Sequence, residues 1–596
     1  MGSRGMLWNA PSAYPPHEMI RLLLPALIAA ALPAQNIINT TLVADEGTVD
    51  LGPGYTNEPA RLYNNVLPGN VVRATEGDTL RVRLVNNLDE NTILHVHGQP
   101  MRLGMDGTQR ISRPETPPGQ EFTYEFDDLA VGTYWYHPHS DNHHQLDGGM
   151  YGVFIVAPAN PADDPVYDLE AVVALDEWNP MVTGGNFFGH VLNGKTSDGQ
   201  APITVSSGDK LRLRFVNVSA RTNYVIALDG HQMTVTHKDG NRMQPVATDA
   251  IPIGVGERYD VIVDCTNPGV WSLAVSQLQN RNATVVRGVV RYQGETGPDP
   301  ASTLVPTNLS SGQLMSYAQL ASYWPSAHPI TTSPDRTYPV ALAVQPGPGG
   351  GTWTINNEAW PNVTPTDVSY GDIVQFDLTT STPSPNHVHP MHMHGHFVQL
   401  MGTAGGTTHP PMMDTILIMP AGTPGDTWSC QWIADNPGTW LYHCHDMHHM
   451  MRGMMTVVSY DGDFDGDLIA DAVDKEPTLS IPVAMISDNA DEFRIGNSGE
   501  LDFQWQPLES ICVFASPFEL PAPSPIPPYG DLRIDQNWIM FLGMTTFDSN
   551  GDGSLPYTLP NNAAMAGVRV YIQGVGSSAS LGTPRLGTHQ ALVVTL

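Results

Sequence analysis

At 596 residues the chain is too long for one hydrophobic core and fits roughly three to five domains. Glycine and proline number 56 and 52, too many for a helical protein and right for a turn-rich β protein. Only 15% of residues are charged, yet 27 basic side chains face 60 acidic ones, and a net charge of −33 excludes the basic patches that nucleic acids and anionic membranes need. The unusual feature is 22 histidines and 25 methionines beside four cysteines, which points to metal.

In chain order, Met19-Ile20-Arg21 precedes the apolar run Leu22–Ala31, with small residues near Ala31 and Ala34. A short basic start and about ten apolar residues form a secretory signal, too short to span a bilayer comfortably. Residues 1–34 therefore read as an N-terminal extension and signal peptide of a secreted or extracytoplasmic protein that is not integral to the membrane. Four cysteines are too few for a disulfide framework. Pairing of Cys265 with Cys430 is left open by the sequence, as is the oligomeric state.

One β unit is then written three times. Gly77-Asp78-Thr79-Leu80-Arg81-Val82-Arg83-Leu84, Gly208-Asp209-Lys210-Leu211-Arg212-Leu213-Arg214-Phe215 and the looser Gly371-Asp372-Ile373-Val374-Gln375-Phe376 each read as a turn followed by a half-buried strand. Each unit closes on a second phrase: Gly132-Thr133-Tyr134-Trp135-Tyr136, Gly269-Val270-Trp271-Ser272-Leu273 and Gly438-Thr439-Trp440-Leu441-Tyr442. The opening phrases stand 131 and 163 residues apart, room for a β-sandwich each. The expected organisation is all-β: sandwiches at 35–160, 165–297 and 336–460, with a Ser/Thr/Pro-rich linker at 298–335. An Asp-rich stretch (461–477) and a C-terminal β domain of unassigned role (478–596) follow.

Within 461–477, Asp461, Asp463, Asp465, Asp467, Asp471 and Asp474 recur at short spacing around Gly466. Such carboxylates can converge on one hard cation, with calcium the natural candidate. The spacing resembles the calcium-binding repeats of thrombospondin type 3. A role in attachment, with this stretch and the last domain as the working part, is the alternative outside enzymology.

Four histidine clusters carry the chemistry: His95-Val96-His97-Gly98, His137-Pro138-His139, His389-Pro390-Met391-His392-Met393-His394-Gly395-His396, and His443-Cys444-His445 with His449 and Met454. His137 and His139 follow Gly132 by five and seven residues, and His443 and His445 follow Gly438 by the same offsets. The corresponding stretch of the middle unit, with Leu273 and Val275, has no histidine. A His-x-His on a strand puts both imidazoles on one face, so pairs from two units can face each other around several borderline metal ions. One cysteine, two histidines and a methionine are the ligand set of a blue-copper centre, and Cys444 with His389, His449 and Met454 supplies it. Cys444 also links that centre covalently to His443 and His445, a coupling that a storage site has no use for.

From about residue 60 to 458 the sequence resembles the three-domain, laccase-like multicopper oxidases. The motifs His-x-His-Gly, His-x-His, His-Pro-x-His-x-His-Gly and His-Cys-His-x3-His-x4-Met are intact and in order. The resemblance implies cupredoxin-like Greek-key sandwiches and four coppers, with one-electron oxidation of substrate coupled to reduction of O2 to water. By matching position, His389, Cys444, His449 and Met454 would hold type 1 copper, and His95 and His392 type 2. His97, His137, His139, His394, His443 and His445 would hold the type 3 pair. Asp106 matches the family's proton-delivering carboxylate, and electrons would run from Cys444 through His443 and His445. Many bacterial relatives carry a carboxylate directly after the histidine matching His449; here Met450 stands there.

Substrate would dock near His389 or His449, whose ring edges are expected to face solvent. Phenols and aromatic amines suit the methionine axial ligand. Cuprous or other metal ions are the competing reductants, because Met391, Met393, Met447, Met450, Met451 and Met455 crowd the type 1 motifs and the acidic surface favours cations. His143, His144 and His396 are expected beside the ligands rather than among them.

Overall fold

In a computed structural model, the described residues are 36–460, apart from 110, 128, 141, 348–349 and 382–386, together with the backbone of strands between 498 and 593. The N-terminal extension and the Asp-rich stretch, with Asp461, Asp463, Asp465, Asp467, Asp471 and Asp474, lie outside them. The described chain is nearly all β. Among its residues no helix is long and apolar enough to cross a membrane.

The three repeated opening phrases become equivalent strands. Thr79–Asn86, Lys210–Asn217 and Ile373–Thr380 each run parallel to the first strand of their unit, Ile37–Val49, Leu169–Trp178 and Arg336–Gln345. On the other side they pair antiparallel with Glu121–Phe126, Arg258–Asp264 and Thr427–Ile433. The first unit has two four-stranded sheets, and the second and third each have a six-stranded and a five-stranded sheet. Side chains of Ile373–Thr380 alternate in burial as a half-covered strand should, whereas Lys210–Asn217 is buried at nearly every position. There Arg212 and Arg214, on the face opposite the apolar core, are covered by ion pairs with Asp164, Glu170 and Asp260.

The closing phrases become central strands of the second sheets: Gly132–Pro138, Val270–Gln277 and Thr439–Cys444. Each pairs antiparallel with Leu94–His97, Tyr224–Leu228 and His389–Met393 respectively. Register sets His95 opposite His137 and His392 opposite His443. The equivalent pair in the middle unit is Ala227 opposite Ala274, one position along from the Leu273 and Val275 singled out in the sequence. Leu309, from the helix Thr307–Ser311 inside the 298–335 linker, packs in the same apolar cluster as these alanines. That linker is thus a cover as well as a connector.

Among the described residues, eight strands lie between Ser498 and Val593. Cys265, Cys430 and Cys444 are free and buried, so Cys265 and Cys430 do not pair.

Candidate metal centre

The strand Leu94–His97 places His95 and His97 on one face, and the neighbouring strand delivers His137 with His139 just beyond its end. In the third unit His392, His394, His443 and His445 arise in the same way. All eight imidazoles are buried, and they meet between the first and third units. The His97 and His392 rings stack at 3.7 Å between centroids, and His95 and His394 at 4.3 Å. Nitrogens of three triads, His95/His97/His392, His97/His137/His445 and His139/His394/His443, each lie within 4.8 Å of one another.

The hydrogen bonds fix which nitrogen of each ring faces inward. Nδ1 of His95, His137, His392 and His443 donates to the backbone carbonyls of Asp106, Pro138, Asp414 and Cys444 at 2.7, 2.8, 3.0 and 3.0 Å. Nδ1 of His394 donates to the Asp106 carboxylate at 3.0 Å. Carbonyl and carboxylate oxygens only accept, so each of these rings carries its proton on Nδ1 and a lone pair on Nε2. His97 is reversed: its Nε2 donates to Asp414 Oδ1 at 3.1 Å and its Nδ1 faces the cluster.

Consequently Nε2 of His394 and of His443 point lone pairs at each other across 3.1 Å. Two nitrogens each about 2 Å from one metal ion stand roughly 3 Å apart, so this pair has the spacing of two donors to one cation. Nε2 of His95, His137, His139 and His392, Nδ1 of His97 and both nitrogens of His445 are buried without a hydrogen-bond partner. Burial pushes His97, His137, His394, His443 and His445 well below the usual imidazole range and His139 to about 3. These six imidazoles are therefore neutral, the form that binds metal.

Asp106 is buried beside the cluster, 3.0 Å from His394 Nδ1 and 3.4 Å from that of His95. Burial alone would raise its carboxyl, but His394 and His95 hold it well below the usual range. Its position depends on Gly107, which turns with φ of +73° against the backbone of Leu94.

Alternation along Thr439–Cys444 turns Cys444 to the opposite face from His443. Its Sγ is 3.9 Å from Nδ1 of His389 and 3.5 Å from that of His449. His449 returns to Cys444 on the one-turn helix Met447–Met450, capped by Asp446, whose carboxylate accepts from the His448 and His449 amides at 2.9 and 3.3 Å. The loop closes with Cys444 N donating to Met454 O at 3.0 Å, and the Met454 side chain is fully buried. Burial pushes the Cys444 thiol well above its ordinary range, and Asp446 adds to this; only a bound soft cation would make it a thiolate there.

The rings of His389 and His449 do not stand open as expected: they are 0% and 3% exposed. Trp353 stacks on His449 at 3.7 Å and also contacts His387 edge-on at 4.8 Å. His396 lies outside both clusters, bonded to Tyr460 OH at 2.8 Å.

Sequence reasoning missed Trp353, Asp414 and Arg258. Asp414 accepts from His97 through its carboxylate and from His392 through its carbonyl, and Arg258 grips the same carboxylate. The one available signal was the run Glu257-Arg258-Tyr259-Asp260, three charged residues ahead of the apolar run Val261-Ile262-Val263.

Three successive stretches, 48–161, 168–295 and 333–463, match family patterns described as multicopper oxidase. The chain is 31% identical over 470 residues to multicopper oxidase MmcO of Mycobacterium tuberculosis, covering 71% of this chain and 87% of that protein. It is 27% identical to laccase-4 of Trametes villosa, over 69% of this chain and 88% of that one. Its fold superposes on the crystal structure of Fet3p, a multicopper oxidase that functions in iron import, with a TM-score of 0.62 at 22% identity, over 72% of this chain and 91% of that one. With the domain patterns, the relatives and the buried histidine seats in agreement, this chain belongs to the multicopper oxidases and is a copper-dependent oxidoreductase.

Proposed function

We propose that the chain is a laccase-like oxidase of four coppers, acting outside the cytoplasm on small phenols and aromatic amines. In this reading type 1 copper is held by His389, Cys444, His449 and Met454. His95 and His392 hold type 2, and His97, His137, His139, His394, His443 and His445 hold the type 3 pair. The observation that carries the reading is the pair of inward lone pairs on His394 and His443 at 3.1 Å, within a set of bare buried imidazole nitrogens. Copper held there would supply one-electron oxidation of substrate and, with four electrons and four protons, reduction of one O2 to two waters.

The chain's own groups divide the remaining work. Cys444 joins the substrate-side centre to His443 and His445 through two short stretches of backbone. Asp106, hydrogen-bonded to His394, keeps a proton acceptor beside the cluster. Trp353 shields His449 from water. Beside the neighbouring His448, Arg221 and Arg452 stand with the Asp446 carboxylate, which lies 3.9 Å from Arg221, so this rim carries charges of both signs.

A second reading, oxidation of cuprous ion, is supported by Met451, a soft thioether 58% exposed at the end of the helix that carries His449. O2 uptake by copper-loaded protein separates the two, with Cys444→Ser as control. Fast Cys444-dependent uptake on 2,6-dimethoxyphenol without free copper supports the first. Uptake on chelated Cu(I), with phenol oxidised only when free copper is added, supports the second. Absence of Cys444-dependent uptake on both rejects the oxidase assignment of these residues.

A further inference from the structure

The middle unit supplies no imidazole to either centre, yet one of its side chains reaches between the other two units. Arg258, at the head of Arg258–Asp264, is fully buried. Its Nη1 and Nη2 donate to Asp414 Oδ1 and Oδ2 at 2.8 and 2.6 Å, a bidentate fork on the third unit. Its Nε donates to the carbonyl of Thr133 in the first unit at 3.0 Å. Asp414 is thereby held where Oδ1 accepts from His97 Nε2 at 3.1 Å and the carbonyl accepts from His392 Nδ1 at 3.0 Å.

The surroundings are shaped around this pair. A Cβ on Gly98 would lie 2.4 Å from both Arg258 Nη2 and Asp414 Oδ2, which explains the glycine after His95-Val96-His97. Behind the guanidinium, Asp239 Oδ1 accepts from the Arg258 amide at 2.9 Å, and Lys238 lies 2.6 Å from Asp239 and 2.8 Å from Glu257. Charges buried this deeply are tolerated because each has a partner at bonding distance.

We propose that Arg258 is the positioning residue of the histidine cluster. Through its fork on Asp414 it sets the tautomer of His97 and the ring orientations of His97 and His392, and this is the contribution of the ligand-free middle unit. The inference rests on the reading that these imidazoles hold copper. His97 is the one ring of the set shown to bond outward through Nε2: Asp414 Oδ1 accepts from it at 3.1 Å, and the Thr415 hydroxyl, which itself donates to Asp414 Oδ1 at 2.9 Å, stands 3.3 Å away. Groups that orient metal-bound histidines in this way typically change metal affinity or activity 10–100-fold, on the order of one to two decades, when removed. Lysine keeps the charge but not the planar two-point grip.

The test uses the full-length, copper-loaded chain with Arg258→Lys, and Arg212→Lys as the matched control. Arg212 is likewise a buried arginine of the same unit, and its hydrogen bonds go to Asp164, Asp260 and His237 rather than to Asp414 or the ring nitrogens of the cluster. Copper per chain, the type 2 electron paramagnetic resonance signal, the blue type 1 band and the thermal midpoint are read together. Expected for Arg258→Lys is an unchanged blue band, a shifted type 2 signal and copper retention at the cluster weakened about 10–100-fold against a competing chelator. Arg212→Lys should lower the midpoint alone. A full, unshifted type 2 signal in Arg258→Lys overturns the proposal, as does an equal change in Arg212→Lys. Wild-type protein that takes up no copper at the cluster refutes the copper reading itself, before any variant is compared.

Discussion

Gly107→Ala isolates the link between a single turn and the metal seat. Gly107 has φ of +73°, where a residue with a Cβ costs about 1–2 kcal/mol. The added carbon would also fall 1.8 Å from the Leu94 carbonyl oxygen, 2.5 Å from its carbon and 3.1 Å from the His95 amide nitrogen. Backbone cannot rotate aside as a side chain can, so Leu94–His97 must move bodily, at an overpacking cost of about 1–3 kcal/mol. Together these predict about 2–5 kcal/mol of destabilisation and a thermal midpoint lower by on the order of 10 °C for a unit of this size. The strand that moves carries His95 and His97, so cluster copper should fall while the blue band, built wholly within the third unit, persists. Calorimetry with copper analysis and visible and paramagnetic resonance spectra measure both. A wild-type midpoint with full copper content would refute the reasoning.

Burial, with Glu177 adding to it, pushes the Asp147 carboxyl from 3.8 up to about 7. Below about pH 4 the folded and unfolded chains are both protonated there, and between about 4 and 7 only the folded chain is, so stability falls as pH rises through that window. Asp147→Asn should match wild type at pH 4 and exceed it increasingly toward pH 8, by up to about 4 kcal/mol; denaturant titrations showing no pH-dependent difference would contradict this. Removing copper should lower the midpoint, because the native state alone assembles the seats; the loss is about 4 kcal/mol where free copper had exceeded Kd a thousandfold. Trp353→Ala should raise kcat/KM for bulky phenols while leaving the blue band in place, and a lower value for every substrate size would show that the indole aids electron entry rather than blocking it.

The histidine pairs were legible because their geometry is local: alternation along a strand forces His95 with His97 and His392 with His394 onto common faces. The Gly-Asp phrases likewise marked the central strands. What could not be read was whatever depends on distant partners. Arg258 and Asp414 are 156 positions apart, and neither sits in a spaced motif. Lys210–Asn217 has the alternating pattern of a half-covered strand, but neighbouring ion pairs bury its polar face as well. The covering of His449 by Trp353 depends on a strand nearly a hundred residues upstream, so the sequence overstated its contact with solvent.

The separation of the cluster's halves along the chain also dictates the order of its assembly. Asp106 meets His394 across 288 positions and His97 meets Asp414 across 317. A nascent chain that has completed only its first unit, or its first two, owns half a seat and holds copper weakly if at all. Metallation is therefore a late event, following synthesis and docking of the third unit. The newly folded chain is an apoprotein with its imidazoles already buried and aimed inward, ready to receive copper wherever that metal is supplied.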